Sequence, residues 1–221
     1  MSKTVITILL PIHGNLQYLK ETVNSIKLQT YNEWTLIIGV NGYKKNSEEF
    51  NSILNEFSDI NITVLDQFYI FNKSESLNEM MSMVTSEFTA LIDGDDLWRP
   101  DKLTRQMDYV SEYDVIGTVV EKFDGDTGII PTYIGDLTSF DFNIGNPLSN
   151  SSIIMRSNIG IYWKDVHVED YDLWYRLSLK PIKIFNLQEP LTLYRISNNT
   201  LTTRIDTPSA VKKIKEFYDS L

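Results

Sequence analysis

The stretch ALIDGDDLWRP (residues 90–100) places three carboxylates, those of Asp93, Asp95 and Asp96, directly behind a short apolar run. The apolar run predicts a buried β-strand, so at least two of the carboxylates should emerge together at one end of that strand. Carboxylates held so close repel one another unless a cation relieves the repulsion. Their oxygens suit Mg²⁺ or Mn²⁺, which take one or two protein carboxylates and complete their coordination with water and substrate phosphates. The stretch therefore predicts a site for a hard divalent cation and a nucleotide substrate.

A purely structural interpretation of the same residues stays open at this point. Asp93 and Gly94 are typical of a tight turn, and Asp96 can cap the helix that begins near Pro100. Taken alone, the stretch favours neither interpretation over the other.

On both sides of this stretch, β-rich runs alternate with segments of helical spacing. Strands are expected over residues 5–10, 34–40, 61–65, 88–92 and 115–120. Helices are expected over residues 16–28, 48–57, 76–84 and 100–110. Such alternation predicts an α/β fold of Rossmann-like type, a single domain over residues 1–221 with three α/β/α layers and a mostly parallel, mixed central sheet. Ligands of such sheets bind beyond the carboxyl ends of the strands, where the DGDD sequence lies.

The second half of the chain is less regular. Between residues 121 and 150 the periodicity weakens, and we interpret this region as a loop-rich insertion. Order returns with a strand at 152–156, a helix at 170–179 and two strands at 183–185 and 191–195. A short C-terminal helix is expected after Pro208.

The composition excludes several functions. A net charge of -10 disfavours binding to nucleic acid, whose phosphates such a surface repels. Without cysteine the chain has neither disulfides nor a thiolate metal site. The first residues lack the features of a signal peptide, and no apolar run approaches the roughly 18 residues of a membrane span, so we expect a cytoplasmic protein without a transmembrane segment. The segment 209–221 favours a solvated surface helix over a peripheral membrane contact; a homodimer stays an open possibility.

Several motifs follow one another in an order that resembles family 2 glycosyltransferases of the GT-A fold. The opening LPIHGNLQYLKETVNSIKLQTYNEWTLIIGVNG (10–42) has the layout of that family's first strand, helix and second strand. NKSESLNEMMSMVTSEFTALIDGDDLWRPDKLTRQM (72–107) is similar to the segment that carries its D-x-D-D motif. The later pieces follow in the family's order, namely NPLSNSSIIMRSN (146–158), VEDYDLWYRL (168–177), EPLTLYRI (189–196) and SNNTLT (197–202).

This resemblance implies a metal-dependent, inverting transfer of a sugar from a nucleoside-diphosphate sugar (UDP-, GDP- or dTDP-linked) to a hydroxyl of a glycan, glycolipid or glycoprotein. Residues 1–120 would form the nucleotide-sugar half, and residues 121–221 the half that holds the acceptor and the catalytic base. The metal, Mn²⁺ or Mg²⁺, would be held by Asp95 and Asp93. Donor contacts are expected from Pro11, His13, Asn41, Lys73, Asn78, Asp93 and Arg195. Acceptor contacts are expected from Asp96, Trp98 and Ser151.

The acidic pair Glu169 and Asp170 is the second candidate cluster. The resemblance implies that such a pair supplies the base that deprotonates the acceptor hydroxyl, and we assign this role to Asp170 first and to Glu169 second. An alternative stays open, because acidic residues at a helix N-terminus are also stabilised by the helix dipole.

The chain departs from the family pattern at three places. Val40 and Asn41 stand where two aspartates usually precede a glycine, so recognition of uracil is in question. Ser197 stands where a late histidine often reaches the metal, and His13 replaces a common tyrosine. Arg195 and Arg204 are candidates for pairing with phosphate, although an arginine at a strand end is commonly a surface ion-pair partner.

Two other functions are weighed against this one. A sugar-nucleotide nucleotidyltransferase would want a Gly-rich, basic loop near the N-terminus, which PIHGNLQYLK lacks. A catalytically inactive nucleotide-sugar binding module is permitted by Val40 and Ser197, but the intact DGDD and Glu169-Asp170 motifs speak against it.

Overall fold

The computed structural model describes residues 4–14, 16–196 and 207–219. Its strands are β1 (Ile6–His13), β2 (Trp34–Asn41), β3 (Ile62–Asp66), β4 (Phe88–Leu91), β5 (Leu97–Trp98), β6 (Val115–Phe123), β7 (Gly128–Ile129), β8 (Gly135–Asp136), β9 (Ile154–Arg156) and β10 (Ile184–Arg195). Its helices are α1 (Leu19–Lys27), α2 (Glu48–Glu56), α3 (Lys73–Ser82), α4 (Lys102–Met107), α5 (Glu169–Ser178) and α6 (Thr207–Asp219).

The strands form one mixed sheet in the order β3-β2-β1-β4-β9-β6-β10-β5, with β7 on β6 and β8 on β10. The first four strands in this order are parallel to one another. β9 is antiparallel to both of its neighbours, and β10 runs parallel to β6. The predicted α/β fold with a mostly parallel, mixed sheet is therefore confirmed. Because β1, β2 and β4 are parallel, their carboxyl ends meet at one edge of the sheet.

The core lies on both faces of the sheet, as three layers require. Alternate residues of β1 point to opposite faces of the sheet, and both faces are buried. This explains why the sequence of β1 is almost entirely apolar. One face packs against α1, α2 and α4, with a cluster that includes Ile8, Leu10, Val23, Phe50 and Leu103. The other packs against α3, α5 and α6, with a cluster that includes Leu9, Met80, Leu91, Trp174 and Ile214.

The prediction of two separate strands at 183–185 and 191–195 is wrong. β10 runs without interruption from Ile184 to Arg195, and Pro190 lies inside it at a shift of register against β6. Proline has no N–H to donate, so it disturbs the ladder of hydrogen bonds while the chain stays extended. Helix α3 begins at Lys73, three residues before the predicted start. Asn72 caps it there, because its side chain accepts from the amide of Glu75.

The region 121–150 keeps more structure than a loop-rich insertion implies. β6 continues to Phe123, β7 and β8 add short pairings, and a 3₁₀ turn covers Phe142–Ile144. At the C-terminus, α6 begins at Thr207, so Pro208 lies inside its first turn rather than before it. Proline is tolerated there because the first turn of a helix needs no N–H donor.

The apolar side of the last helix, α6, packs against the rest of the domain. Ile214 is buried, and the ring of Tyr218 stacks on that of Tyr175 with 5.2 Å between centroids. The Tyr218 hydroxyl donates to Oδ1 of Asp172 on α5. The face that a peripheral membrane contact would need is thus packed against α5, which favours the surface-helix interpretation. None of the helices in residues 4–14, 16–196 and 207–219 is long and apolar enough to cross a membrane.

Candidate active site

A cleft of about 720 Å³ opens where the parallel strands β1, β2 and β4 end. Its walls also include the N-termini of α3 and α5, the end of β6 and the loop before β9. The cleft brings together eight of the residues expected from the sequence, namely Pro11, His13, Asn41, Lys73, Asp93, Asp95, Glu169 and Asp170. Two acidic motifs that lie far apart in the chain therefore face the same cavity.

The DGDD turn is fixed by short contacts on both sides. The amide of Asp96 donates to the carbonyl of Asp93 at 3.1 Å, which closes the turn. The amide of Asp93 donates to Oγ of Ser151 at 3.0 Å. A Cβ atom at Gly94 would come within 2.7 Å of Cγ2 of Ile12, so the turn can lie this close to β1 only with glycine at that position. The turn thus holds the backbone of both cleft-lining aspartates.

Lys73, the first residue of α3, bridges the two acidic motifs. Its Nζ lies 2.6 Å from Oδ1 of Asp93 and 3.4 Å from Oε1 of Glu169. Burial opposes the charge of the lysine, but the carboxylates of Asp93 and Glu169 outweigh that effect and raise its pKa. Lys73 is therefore a permanent cation between the DGDD turn and α5.

Asp95 lines the cleft without a comparable partner for its carboxylate. Burial, and after it the negative charge of Asp93, raises the pKa of Asp95. Two neighbouring carboxylates, one of them destabilised in its charged form, are a donor set that suits Mg²⁺ or Mn²⁺. Among residues 4–14, 16–196 and 207–219, no group of three or more Asp, Glu, His or Cys side chains could hold a metal by itself. An ion at this position would need further ligands from water and a phosphate-bearing substrate.

Asp170 stands in the first turn of α5, where burial and the neighbouring carboxylate of Glu169 raise its pKa to about 6. Its Oδ1 accepts from the amide of Tyr171 at 2.7 Å. Its Oδ2 accepts from Nδ2 of Asn146 at 3.3 Å. A carboxylate of this kind is mostly ionised near neutral pH and is still basic enough to take a proton from a hydroxyl during reaction.

Asn41 and His13 end neighbouring strands on the far side of the cleft. Nδ2 of Asn41 donates to the carbonyl of Ile70 at 2.5 Å, and the side chain is largely buried. His13 is exposed at the cleft wall. Asn41 and His13 therefore both line the cleft.

Five of the expected site residues do not line the cleft. Asn78 on α3 instead clamps a distant loop, accepting from the amide of Trp163 at 2.9 Å and donating to its carbonyl at 2.8 Å. Arg195 has its guanidinium buried and paired with Glu21 and Asp124. The expectation that these two residues contact the donor is not supported by their positions.

The three residues expected on the acceptor side lie beneath the cleft rather than in its wall. Asp96, Trp98 and Ser151 are almost fully buried. Burial, and after it the negative charges of Asp93 and Asp95, raises the pKa of Asp96 well above its usual range. Trp98 donates from Nε1 to the carbonyl of Ser151 at 2.8 Å. Their burial leaves these side chains little surface for contact with an acceptor, and Ser151 instead accepts from the amide of Asp93 in the DGDD turn.

Asn146 contacts the candidate base, but no sequence signal predicts this role. It lies in the irregular region 121–150, where no periodicity or spacing marks one asparagine above another. Ser197 and Arg204 lie outside the described residues.

The sheet order and the acidic cleft agree with the GT-A fold that the sequence motifs predict. The sequence model of Glycosyl transferase family 2 matches residues 7–165, and the chain belongs to this family. It is 27% identical over 224 residues to the putative glycosyltransferase EpsE of Bacillus subtilis, covering 92% of this chain and 77% of that protein. It is 25% identical over 242 residues to the UDP-Glc:alpha-D-GlcNAc-diphosphoundecaprenol beta-1,3-glucosyltransferase WfgD of Escherichia coli, covering 100% of this chain and 87% of that protein.

Solved structures show the same fold. TarS of S. aureus in complex with UDP-GlcNAc superposes with a TM-score of 0.73 at 14% identity, covering 95% of this chain and 64% of that one. The mannosyltransferase PcManGT of Pyrobaculum calidifontis, in complex with GDP-Man and Mn²⁺, gives a TM-score of 0.69 at 12% identity, covering 90% and 59%. The chain thus spans less than two thirds of each. These structures show the shared fold, while the family match and the curated relatives make the protein a glycosyltransferase.

Proposed function

We propose that the protein transfers a sugar from a nucleoside-diphosphate sugar to a hydroxyl of an acceptor, with inversion at the anomeric carbon and with a divalent cation. The observation that carries this proposal is the meeting of two acidic motifs in one cleft. Asp93 and Asp95 stand on one side of it, Glu169 and Asp170 on the other, and Lys73 bridges them.

The negative charge of the cleft supports the proposal that a divalent cation takes part in the reaction. Four carboxylates line it, and Lys73 is the only lysine or arginine lining it in the part of the chain that the structure describes. A diphosphate would therefore meet net negative charge unless a cation came with it. Asp95 and Asp93 would hold Mn²⁺ or Mg²⁺ through carboxylate oxygens. Such an ion, when bound, acts as a Lewis acid that stabilises negative charge on the departing nucleoside diphosphate.

The position and basicity of Asp170 support its assignment as the catalytic base. In the proposed reaction the acceptor oxygen forms a bond to the anomeric carbon while the bond from that carbon to the diphosphate oxygen breaks. The proton of the acceptor hydroxyl passes to a carboxylate oxygen of Asp170, and the leaving group carries the electron pair away. Lys73 stands beside this step and can donate hydrogen bonds to the diphosphate. The base acts best when its pKa lies near the working pH, which a pKa of about 6 satisfies.

The donor nucleotide belongs beside the ends of β1 and β2. Pro11, His13 and Asn41 line that part of the cleft. Asn41 takes the place of an acidic residue, so it offers an amide rather than a carboxylate to the base or ribose, and a preference for uracil does not follow. The acceptor belongs on the side of Asp170, toward the loop that carries Asn146.

The test is release of nucleoside diphosphate from a panel of UDP-, GDP- and dTDP-sugars, with Mn²⁺, with Mg²⁺ and with EDTA. We expect one nucleotide to be preferred and EDTA to abolish turnover. Asp95→Asn should lose at least about a hundredfold in rate, because it removes a carboxylate that would hold the metal against the leaving diphosphate. Asp59→Asn is the matched control, since that carboxylate is half exposed and pairs with Lys27 on the surface. Full activity of Asp95→Asn in EDTA would contradict the proposal.

A further inference from the structure

Arg195, the last residue of β10, holds the DGDD turn from below. Its Nε donates to the carbonyl oxygen of Asp95 at 2.9 Å. Its own amide donates to Oδ1 of Asp96 at 3.1 Å. Two hydrogen bonds from one residue therefore reach two successive residues of the turn. The side chain of Arg195 is only 4% exposed, so these bonds are shielded from water.

The guanidinium is itself held on every side. Nη2 lies 2.6 Å from Oε2 of Glu21 on α1, and Nη1 pairs with Oδ2 of Asp124 after β6. Two aromatic rings contact the group, whose carbon lies 3.9 Å from the centroid of Tyr18 and 4.4 Å from that of Phe123. A buried guanidinium is stable only when its charge is paired and its N–H groups are hydrogen-bonded, and each of its three nitrogens has a partner here.

We propose that Arg195 is a positioning residue of the metal and diphosphate site. It fixes the main chain at Asp95 so that the Asp95 carboxylate stays in the wall of the cleft. The role is mechanical, because Arg195 does not line the cleft and its charge is already neutralised by Glu21 and Asp124. This inference rests on the proposed function for its consequence in catalysis, but the contact itself is independent of that function.

Arginine is required for this role by its shape. Nε, Nη1 and Nη2 point in three fixed directions in one plane, which lets a single side chain bond Asp95, Asp124 and Glu21 while contacting two rings. Lysine has one ammonium on a flexible stem and cannot occupy all three positions at once. We therefore expect Arg195→Lys to keep the charge in place but to release the carbonyl of Asp95.

The chain contains a matched control in Arg156 on β9. Its Nη1 lies 2.7 Å from Oε1 of Glu87 and its Nε 3.2 Å from Oδ1 of Asp114, while Nη2 donates to a backbone carbonyl. Its guanidinium carbon also lies 4.9 Å from the centroid of the Phe88 ring. Arg156 thus repeats the ion-paired setting of Arg195, with 28% of its side chain exposed and one ring beside it, without contacting the DGDD turn.

The experiment compares the full-length wild type, Arg195→Lys and Arg156→Lys by amide hydrogen exchange and by calorimetric binding of UDP and GDP with and without Mn²⁺. We expect Arg195→Lys alone to speed exchange at the amides of residues 93–96 and to weaken Mn²⁺-dependent nucleotide binding about tenfold, since small displacements at a site carry large costs. Asp124→Asn provides a second, milder variant if Arg195→Lys does not fold. Asparagine tolerates the left-handed backbone at this position, where φ is 72°, and the change removes one ion pair.

The possible outcomes separate the inference from its alternatives. Unchanged exchange at residues 93–96 in Arg195→Lys, and in Asp124→Asn if the first variant is unfolded, would overturn the positioning role. So would weaker binding of nucleotide without metal and without faster exchange, which would indicate a direct contact between Arg195 and phosphate. If the wild type binds neither nucleotide with Mn²⁺, the proposed function fails, and the exchange data still decide whether Arg195 fixes the turn.

Discussion

The ammonium of Lys73 lies 2.6 Å from a carboxylate oxygen of Asp93, and it joins the start of α3 to the end of β4. The same ammonium lies 3.4 Å from Glu169 at the start of α5. Three elements that are distant in the sequence are thus tied together by one cation at the edge where the sheet presents its acidic side chains. The chemistry that we propose depends on this arrangement.

Replacement of Lys73 by methionine should lower kcat/KM for the donor. The ammonium balances part of the charge of four carboxylates, and a charge-assisted hydrogen bond to a diphosphate contributes about 1.5–3 kcal/mol, so the expected loss is about ten- to hundredfold. Steady-state kinetics with varied donor concentration measure it. Lys20→Met is the control, because Lys20 is mostly exposed and pairs with Glu56 on the surface. Equal kinetics for the two variants would remove Lys73 from the donor site.

The pH profile should report the ionisation of Asp170. Its base form is lost as the pH falls through its pKa of about 6, so kcat/KM should fall about tenfold per pH unit below that value and level off above it. The charged groups facing Asp170 are Glu169, Lys73 and Asp93. A rate that stays constant from about pH 5 to about pH 7 in the wild type would argue against a carboxylate base.

Asn146→Ala should move that profile toward higher pH. The amide of Asn146 donates to Oδ2 of Asp170 and thereby favours the ionised carboxylate, so its removal raises the pKa of Asp170. The plateau value of kcat/KM above the new pKa should stay close to that of the wild type, while the acid limb moves. Asn51→Ala is the control, since Nδ2 of Asn51 donates to the carbonyl of Asn46 on the exposed side of α2. An unshifted acid limb in Asn146→Ala would show that this contact has no effect on the base.

Gly94→Ala should destabilise the protein and disturb the turn. The added Cβ would lie 2.7 Å from Cγ2 of Ile12, a contact that forces the turn away from β1 at a cost of about 1–3 kcal/mol. Denaturant unfolding measures the loss. Gly145→Ala provides the comparison, because its Cβ would lie 3.9 Å from the nearest side-chain atom, a carbon of Tyr133. We expect that variant to keep its stability; a result in which both variants are equally stable would contradict the close packing at Gly94.

Much of the fold could be predicted because its signals are local. The apolar run of β1 and the alternation of strands and helices are read from neighbouring residues, and so is the turn at the end of β4. The break expected near Pro190 is wrong because a lost N–H interrupts one hydrogen bond without turning the chain. Tertiary pairing with β6 keeps the strand extended on both sides of it.

The candidate site was harder to predict wherever a role depends on contacts between distant residues. The acidic motifs are visible in the sequence, whereas the burial that separates Asp96 from Asp95 is not, because it depends on how β10 covers the turn. The charge of Arg195 predicted a contact with phosphate. In the structure it pairs instead with Glu21 and Asp124, which lie 174 and 71 residues away in the sequence. Asn146 lies in a region with no periodic pattern at all.

Electron paramagnetic resonance of Mn²⁺ during titration with nucleoside diphosphate tests directly whether Asp95 holds a metal. In the wild type we expect the signal of free Mn²⁺ to decrease when protein and nucleotide are both present, and in Asp95→Asn we expect it to stay at the level given by nucleotide alone. If Asp95→Asn removed free Mn²⁺ as well as the wild type does, Asp95 would not hold a metal and the account would be contradicted.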